Sequence, residues 1–133
     1  VVMAISLPAI HRGMDKQPMR RTMNELREAC SLARARAILG GTTTQLVFRP
    51  LEGTYSVSGG KGKSFSGTID ESLSIEMLDV NLWEFNREDL AVVHFYPNGT
   101  CDEFTLILRS EDNEWRKLSL EVTTALATVG GIQ

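Results

Sequence analysis

Val1-Val2-Met3-Ala4-Ile5-Ser6-Leu7-Pro8-Ala9-Ile10 is a ten-residue run without a charge, and it opens the stretch that decides the fold. The run passes into an amphipathic segment that ends at Gly40-Gly41. Met19, Met23, Leu26, Cys30, Ala33 and Ala37 recur there at alternating steps of four and three, which is the spacing of one helix face. Arg20, Arg27, Glu28, Arg34 and Arg36 occupy the other side. The small residues Ala29, Ala33 and Ala37 let a sheet approach that face closely. Met23, Leu26, Cys30, Ala33 and Ala37 are therefore expected to pack on a sheet of the same chain. Thr22 and Glu25 have the spacing of a capping box, with Pro18 just before them, so a helix is expected to start or bend there. The tandem glycine ends it, because glycine takes the left-handed position after a helix at little cost.

Beyond residue 41 the chain changes to short alternating runs. Thr43–Arg49 and Thr54–Ser58 read as strands, with Pro50–Gly53 as the turn between them. Ser58–Gly67 reads as a flexible Gly/Ser/Lys loop. Leu73, Ile75 and Met77 alternate with Ser72, Ser74 and Glu76, giving a half-buried strand. Asp79–Asp89 is less regular, and Leu82, Trp83 and Phe85 are expected to pin it to the core. Leu90–Tyr96 is a strand, and Asn98-Gly99 is a strong hairpin signal before the strand of Phe104, Leu106 and Leu108. Leu118, Leu120 and Val122 alternate again, and Thr123–Gln133 has room for a last short strand. The expected fold class is α+β. A long N-terminal helix (1–41) packs on an antiparallel β-sheet or sandwich head (42–133) of roughly six to eight strands.

A chain of 133 residues is one domain by length and can bury a core without disulfides or metal. Its net charge of −3 is unevenly spread. Residues 1–36 hold seven basic and three acidic side chains, so they carry +4 and the remainder −7. An acidic head disfavours nucleic acid, since phosphate contacts need clustered Lys and Arg. Val1 is not an initiator Met, so the reading expects more of the gene product upstream. The apolar run is too short to span a bilayer alone and suits the far end of a span, or else a buried helix start. Cys30 and Cys101 have no metal-ligand spacing. Cys30 reads as a small core residue, and a Cys30–Cys101 bridge is open only for an extracytoplasmic head.

No motif carries catalysis. Gly59-Gly60-Lys61-Gly62-Lys63-Ser64 lacks the first glycine of a phosphate loop and no helix follows it, so it reads as a solvated loop. His11 and His94 have no partnering nucleophile signature, and the acid pairs Asp70-Glu71, Glu88-Asp89 and Asp102-Glu103 have no calcium-loop spacing. The chain is expected to be non-enzymatic and to need no cofactor or metal.

Three stretches, in order, resemble the type IV pilin-like family, in particular its H-type minor pseudopilins and the related FimT-type pilins. Val1–Ile5 with Leu7-Pro8 is similar to the middle of the family's hydrophobic helix and its bending proline. Leu26–Ile38, with its Ala-Arg repeats before Gly40-Gly41, is similar to the family's helix end. Val93–Thr100 followed by Phe104-Thr105-Leu106 is similar to its Phe-x-Pro-(Asp/Asn)-Gly hairpin. The resemblance implies a subunit of a type II secretion pseudopilus, held by a single helix in the inner membrane with its head in the periplasm. It also implies a leader cut by a prepilin peptidase and packing with other pseudopilins. On that reading Val1, Val2, Ile5, Leu7, Pro8 and Ile10 pack in the membrane or the filament. The family's cleavage glycine, N-terminal Phe and early Glu are not in this sequence. Two alternatives are a minor type IV pilin for competence or adhesion and a soluble β-sandwich binding domain. DNA uptake is disfavoured because 125–131 has no basic residue.

Overall fold

The computed structural model describes Gln17–Gly131. One helix, α1 (Gln17–Gly40), is followed by nine strands. They are β1 (Thr44–Arg49), β2 (Thr54–Ser58), β3 (Phe65–Thr68), β4 (Ser74–Val80), β5 (Trp83–Glu84), β6 (Ala91–Phe95), β7 (Phe104–Arg109), β8 (Trp115–Leu120) and β9 (Ala127–Gly131). The architecture is α+β, with one N-terminal helix packed against antiparallel sheets. Nine strands replace the expected six to eight because the 65–68 and 83–84 segments pair as short edge strands.

The strands divide into two sheets. The first has the order β3-β2-β1-β6 and the second β5-β4-β7-β8-β9, and every pairing is antiparallel. Helix α1 lies on the first sheet and also touches β9 of the second. Alternation produces the sidedness of each strand. Leu46 and Phe48 in β1, Tyr55 and Val57 in β2, and Leu106 and Leu108 in β7 are buried, while the residues between them are partly exposed. Phe48 joins the sheets: its ring stacks on Phe104 of β7 at 5.3 Å and tilts against Tyr55 at 5.9 Å.

The helix end follows its chemistry. Gly41 takes φ +65°, the left-handed position that releases the chain into β1. The start does not follow the capping box. Thr22 lies inside α1 and is buried, so its hydroxyl does not cap a terminus, and Pro18 sits within the described helix.

Three further expectations are corrected. The Ser58–Gly67 loop is shorter than its composition suggested: Phe65–Thr68 pairs with β2, and the Arg36 guanidinium donates to the Lys63 carbonyl oxygen. The 73–77 alternation does not persist. A bulge between Ile75 and Met77 shifts the phase, so Leu78 and Val80 become the buried residues of β4. Leu82 and Trp83 do not pin their segment to the core. They are 84 % and 73 % exposed, and of the three expected anchors only Phe85 packs on the core.

The Asn98-Gly99 turn forms, with Gly99 at φ +90° and the Gly99 N–H donating to the Tyr96 carbonyl at 3.0 Å. It does not join two strands of one sheet. A single bridge pairs Phe95 at the end of β6 with Cys101, and the chain then crosses from the first sheet to β7 in the second.

Candidate functional site

Helix α1 presents two chemically different faces. On the inner one, Met23, Leu26, Cys30, Ala33 and Ala37 are all buried, together with Met19 and Ala29. The alanines bring the helix backbone within hydrogen-bond reach of β1. The Thr44 hydroxyl donates to the Ala33 carbonyl at 2.6 Å, fully inside the protein. A larger side chain at 33 or 37 has no space there.

The outer face is basic, but three of its arginines are ties rather than free charges. Arg21 pairs with Asp70 at 3.2 Å. Arg34 donates through Nε to the Thr124 carbonyl at 2.8 Å, and Arg36 donates to the Lys63 carbonyl. The helix is thus keyed to a loop of each sheet and to the 59–64 loop. Gly62 lies so close to Arg36 that an added Cβ would stand 3.0 Å from the guanidinium. Arg20 and Arg27 are exposed.

The thiols of Cys30 and Cys101 are free and buried, so no bridge links them. Burial pushes Cys30 up to about 12, with a smaller effect from neighbouring Cys101. Burial and nearby Asp102 push Cys101 up to about 11. Both therefore stay protonated at neutral pH and are inert as nucleophiles.

Val1, Val2, Ile5, Leu7, Pro8 and Ile10 lie outside the described residues, as does His11. Within them, no helix is long and apolar enough to cross a membrane. Likewise, no group of three or more His, Cys, Asp or Glu among the described residues is placed to hold a metal ion.

Two surface features were not legible in the sequence. The first is a hub at Asp102. Its carboxylate accepts the His94 backbone N–H at 2.9 Å and the Tyr96 hydroxyl at 3.0 Å, and it lies 2.8 Å from His94 Nδ1. Burial works against the charged form, but these hydrogen bonds outweigh it and hold the carboxyl below the usual aspartate range. The stacked His94 and Tyr96 rings are thereby fixed at the surface.

The second feature is the knuckle between β4 and β5. Asn81 and Leu82 both have positive φ, 52° and 71°, as a tight two-residue hairpin turn requires. Asn is at ease there and Leu is not. The turn is held by Glu103. Asn81 N–H donates to the Glu103 carbonyl at 2.9 Å, Leu82 N–H donates to the Glu103 carboxylate at 3.1 Å, and Glu103 N–H donates back to Asn81 Oδ1 at 3.0 Å. Asp79, Glu84 and Glu103 crowd the outer side of this hairpin. Burial, and then these two neighbouring carboxylates, raise the Asp79 carboxyl above its ordinary value.

A groove of about 780 Å³ runs between α1 at Arg21–Glu25, the Pro50–Gly53 turn and the Thr68–Leu73 segment. Its lining includes Arg21, Glu25, Glu52, Asp70 and Glu71, so it is strongly polar.

No family model and no curated protein matches this chain. Among solved structures, the minor pseudopilin EpsH from the Type 2 Secretion System of Vibrio cholerae superposes with a TM-score of 0.53. The match covers 87% of this chain and 93% of EpsH, at 15% sequence identity. The likeness is one of fold, and this chain has a pseudopilin-like fold: one helix laid on antiparallel sheets.

Proposed function

We propose that this chain is a non-enzymatic minor subunit of a type II secretion pseudopilus. The observation that carries the reading is the match of fold over nearly the whole length of EpsH, despite low identity. The sequence order adds support. An uncharged run, 1–10, precedes a helix, α1, whose inner face from Met19 to Ala37 is committed to the chain's own sheets. On this reading the run continues the helix, which anchors the head at one end and serves lipid or other helices at the other. The reading places Val1, Val2, Ile5, Leu7, Pro8 and Ile10 in that second role. It places the chain in the inner membrane before assembly, with the head in the periplasm. It makes prepilin peptidase the processing enzyme of the full-length precursor, and other pseudopilins the partners.

The test is the intact mass and N-terminal sequence of the full-length gene product, recovered from membranes with and without prepilin peptidase. A peptidase-dependent cut a few residues upstream of Val1, leaving a methylated N-terminus, is the expected result. An uncut product in the soluble fraction of both strains would reject the reading.

A further inference from the structure

The loop Gly59-Gly60-Lys61-Gly62-Lys63-Ser64 joins β2 to β3 and is built unlike the other tight turns. Those turns spend N–H groups internally. Gly53 donates to the Arg49 carbonyl at 2.9 Å, Gly99 to that of Tyr96 at 3.0 Å and Asn113 to that of Ser110 at 2.9 Å. Among the described residues, no N–H from 59 to 64 donates to a backbone carbonyl. The sign of φ also changes at each step through the middle of the loop. Gly60 and Gly62 have φ +72° and +135°, and Lys61 between them is not in the left-handed region. Alternation of this kind turns successive N–H groups toward one side and makes a concave site for an anion.

Charge adds to these donors. Segment 53–69 contains no acid, in a head that carries −7. Lys61 and Lys63 are exposed, and neither has an ion-pair partner among the described residues. Arg36 of α1 supplies a third cation and is fixed in place. Its guanidinium donates to the Lys63 carbonyl, and a Cβ on Gly62 would stand 3.0–3.1 Å from its Nη2, Cζ and Nε. A Cβ on Gly60 would come within 3.3 Å of both Arg36 Cβ and Thr44 Cγ2. The two glycines thus let the loop lie against Arg36, which gathers three cations and the unspent N–H groups in one place. Ser64, also exposed, adds a hydroxyl.

We propose that the 59–64 loop binds a phosphate group. Phosphate brings three acceptor oxygens and a charge of about −1.5 to −2 at neutral pH, more of both than a carboxylate. The loop N–H groups meet the oxygens, and Lys61 and Lys63 act as point charges beside them. Strand β3 follows the loop, so no helix N-terminus takes part and the donors are those of the loop and Arg36. The inference does not depend on the secretion role, and its test uses the purified chain alone.

The experiment is an amide proton–nitrogen NMR titration of the 133-residue protein with inorganic phosphate at neutral pH, with sodium chloride holding the ionic strength constant. Saturable shifts centred on 59–64 are expected, with a dissociation constant in the millimolar range. Lys61→Gln combined with Lys63→Gln should weaken binding roughly tenfold, and Lys61→Arg combined with Lys63→Arg should keep it. Both positions are exposed, and the dispersion of the same spectra verifies that each variant is folded. Glycerophosphoglycerol, the soluble headgroup of an anionic lipid, is titrated in parallel. Tighter binding of inorganic phosphate assigns the site to free phosphate or a phosphomonoester. Equal or tighter binding of the headgroup assigns it to a lipid surface. Absence of a saturable shift at 59–64 with either compound overturns the proposal. So do shifts that sodium chloride alone reproduces, binding that survives the double glutamine variant, and shifts centred instead on the exposed Arg20 and Arg27 of α1.

Discussion

The ring of Tyr55 lies directly over Gly67 on the neighbouring strand. The two are register partners in β2 and β3, and a Cβ built on Gly67 would stand 2.4 Å from the Tyr55 hydroxyl oxygen and 2.5 Å from Cζ. Tyr55 is buried, so its ring cannot swing away. Glycine is needed here for space and not for a special backbone angle. Gly67→Ala is expected to destabilise by about 1–3 kcal/mol through overpacking. Urea unfolding measures this as a lower midpoint at unchanged slope.

The same hydroxyl is buried and has no hydrogen-bond partner among the described residues. Burial, with the nearby Glu25, Cys30 and Glu28, pushes its pKa up to about 12, so it remains protonated. Tyr55→Phe removes an unsatisfied polar atom and is expected to be neutral or to stabilise by up to about 1 kcal/mol. Because it also removes one of the two closest atoms, it should soften Gly67→Ala. The double variant should then be more stable than the sum of the singles requires. Strict additivity in the urea cycle would show that the ring, and not the hydroxyl, sets the clash.

Thr44→Val tests the clasp between helix and sheet. It keeps the shape of Thr44 and removes the donor to the Ala33 carbonyl. A loss of about 1 kcal/mol is expected, the usual worth of one buried hydrogen bond. Amide exchange should speed up mainly in the last turns of α1. A uniform change across all strands would argue against a local clasp.

Asp102 makes the protein acid-sensitive in a defined direction. Its carboxyl is lowered in the folded state, so its contribution is complete above the unfolded value of about 3.9 and is lost as pH falls through the folded value. Asp79 is raised and works in the opposite sense. Asp102→Asn should cost about 1–2 kcal/mol at pH 7. It should also flatten the fall in stability below about pH 4. Urea midpoints at pH 7, 4 and 3 for both proteins decide it, and parallel curves would refute the assignment.

The thiols give a probe of global unfolding. Cys30 and Cys101 are buried and protonated at neutral pH. Alkylation at pH 7 without denaturant should therefore be slow at both sites and rise together as urea unfolds the chain. Fast labelling of one site alone would reveal a local opening.

Local chemistry determined much of this fold. The four-three spacing from Met19 to Ala37 marked a helix face, Gly40-Gly41 marked its end, and alternation located most strands. These signals are readable because each depends on neighbours a few residues apart. Partnership between strands is not local. Asn98-Gly99 makes its turn as its chemistry demands, yet the strands on either side enter different sheets, because Phe48 and Phe104 must close the core between them. The bulge at Ile75/Met77 reverses the inward face of β4, and the tight turn at Asn81-Leu82 leaves the expected anchors Leu82 and Trp83 facing solvent. The Arg34 and Arg36 ties cross 90 and 27 residues of sequence, and the Asp102 hub joins the end of one sheet to the start of the other. Sequence by itself determined the helix, most of the strands and where the charge lies, while the edge strands 65–68 and 83–84 exist only through their partners. Tertiary structure alone decided which large apolar side chains are buried and which face solvent, because burial depends on what the rest of the chain places opposite each strand.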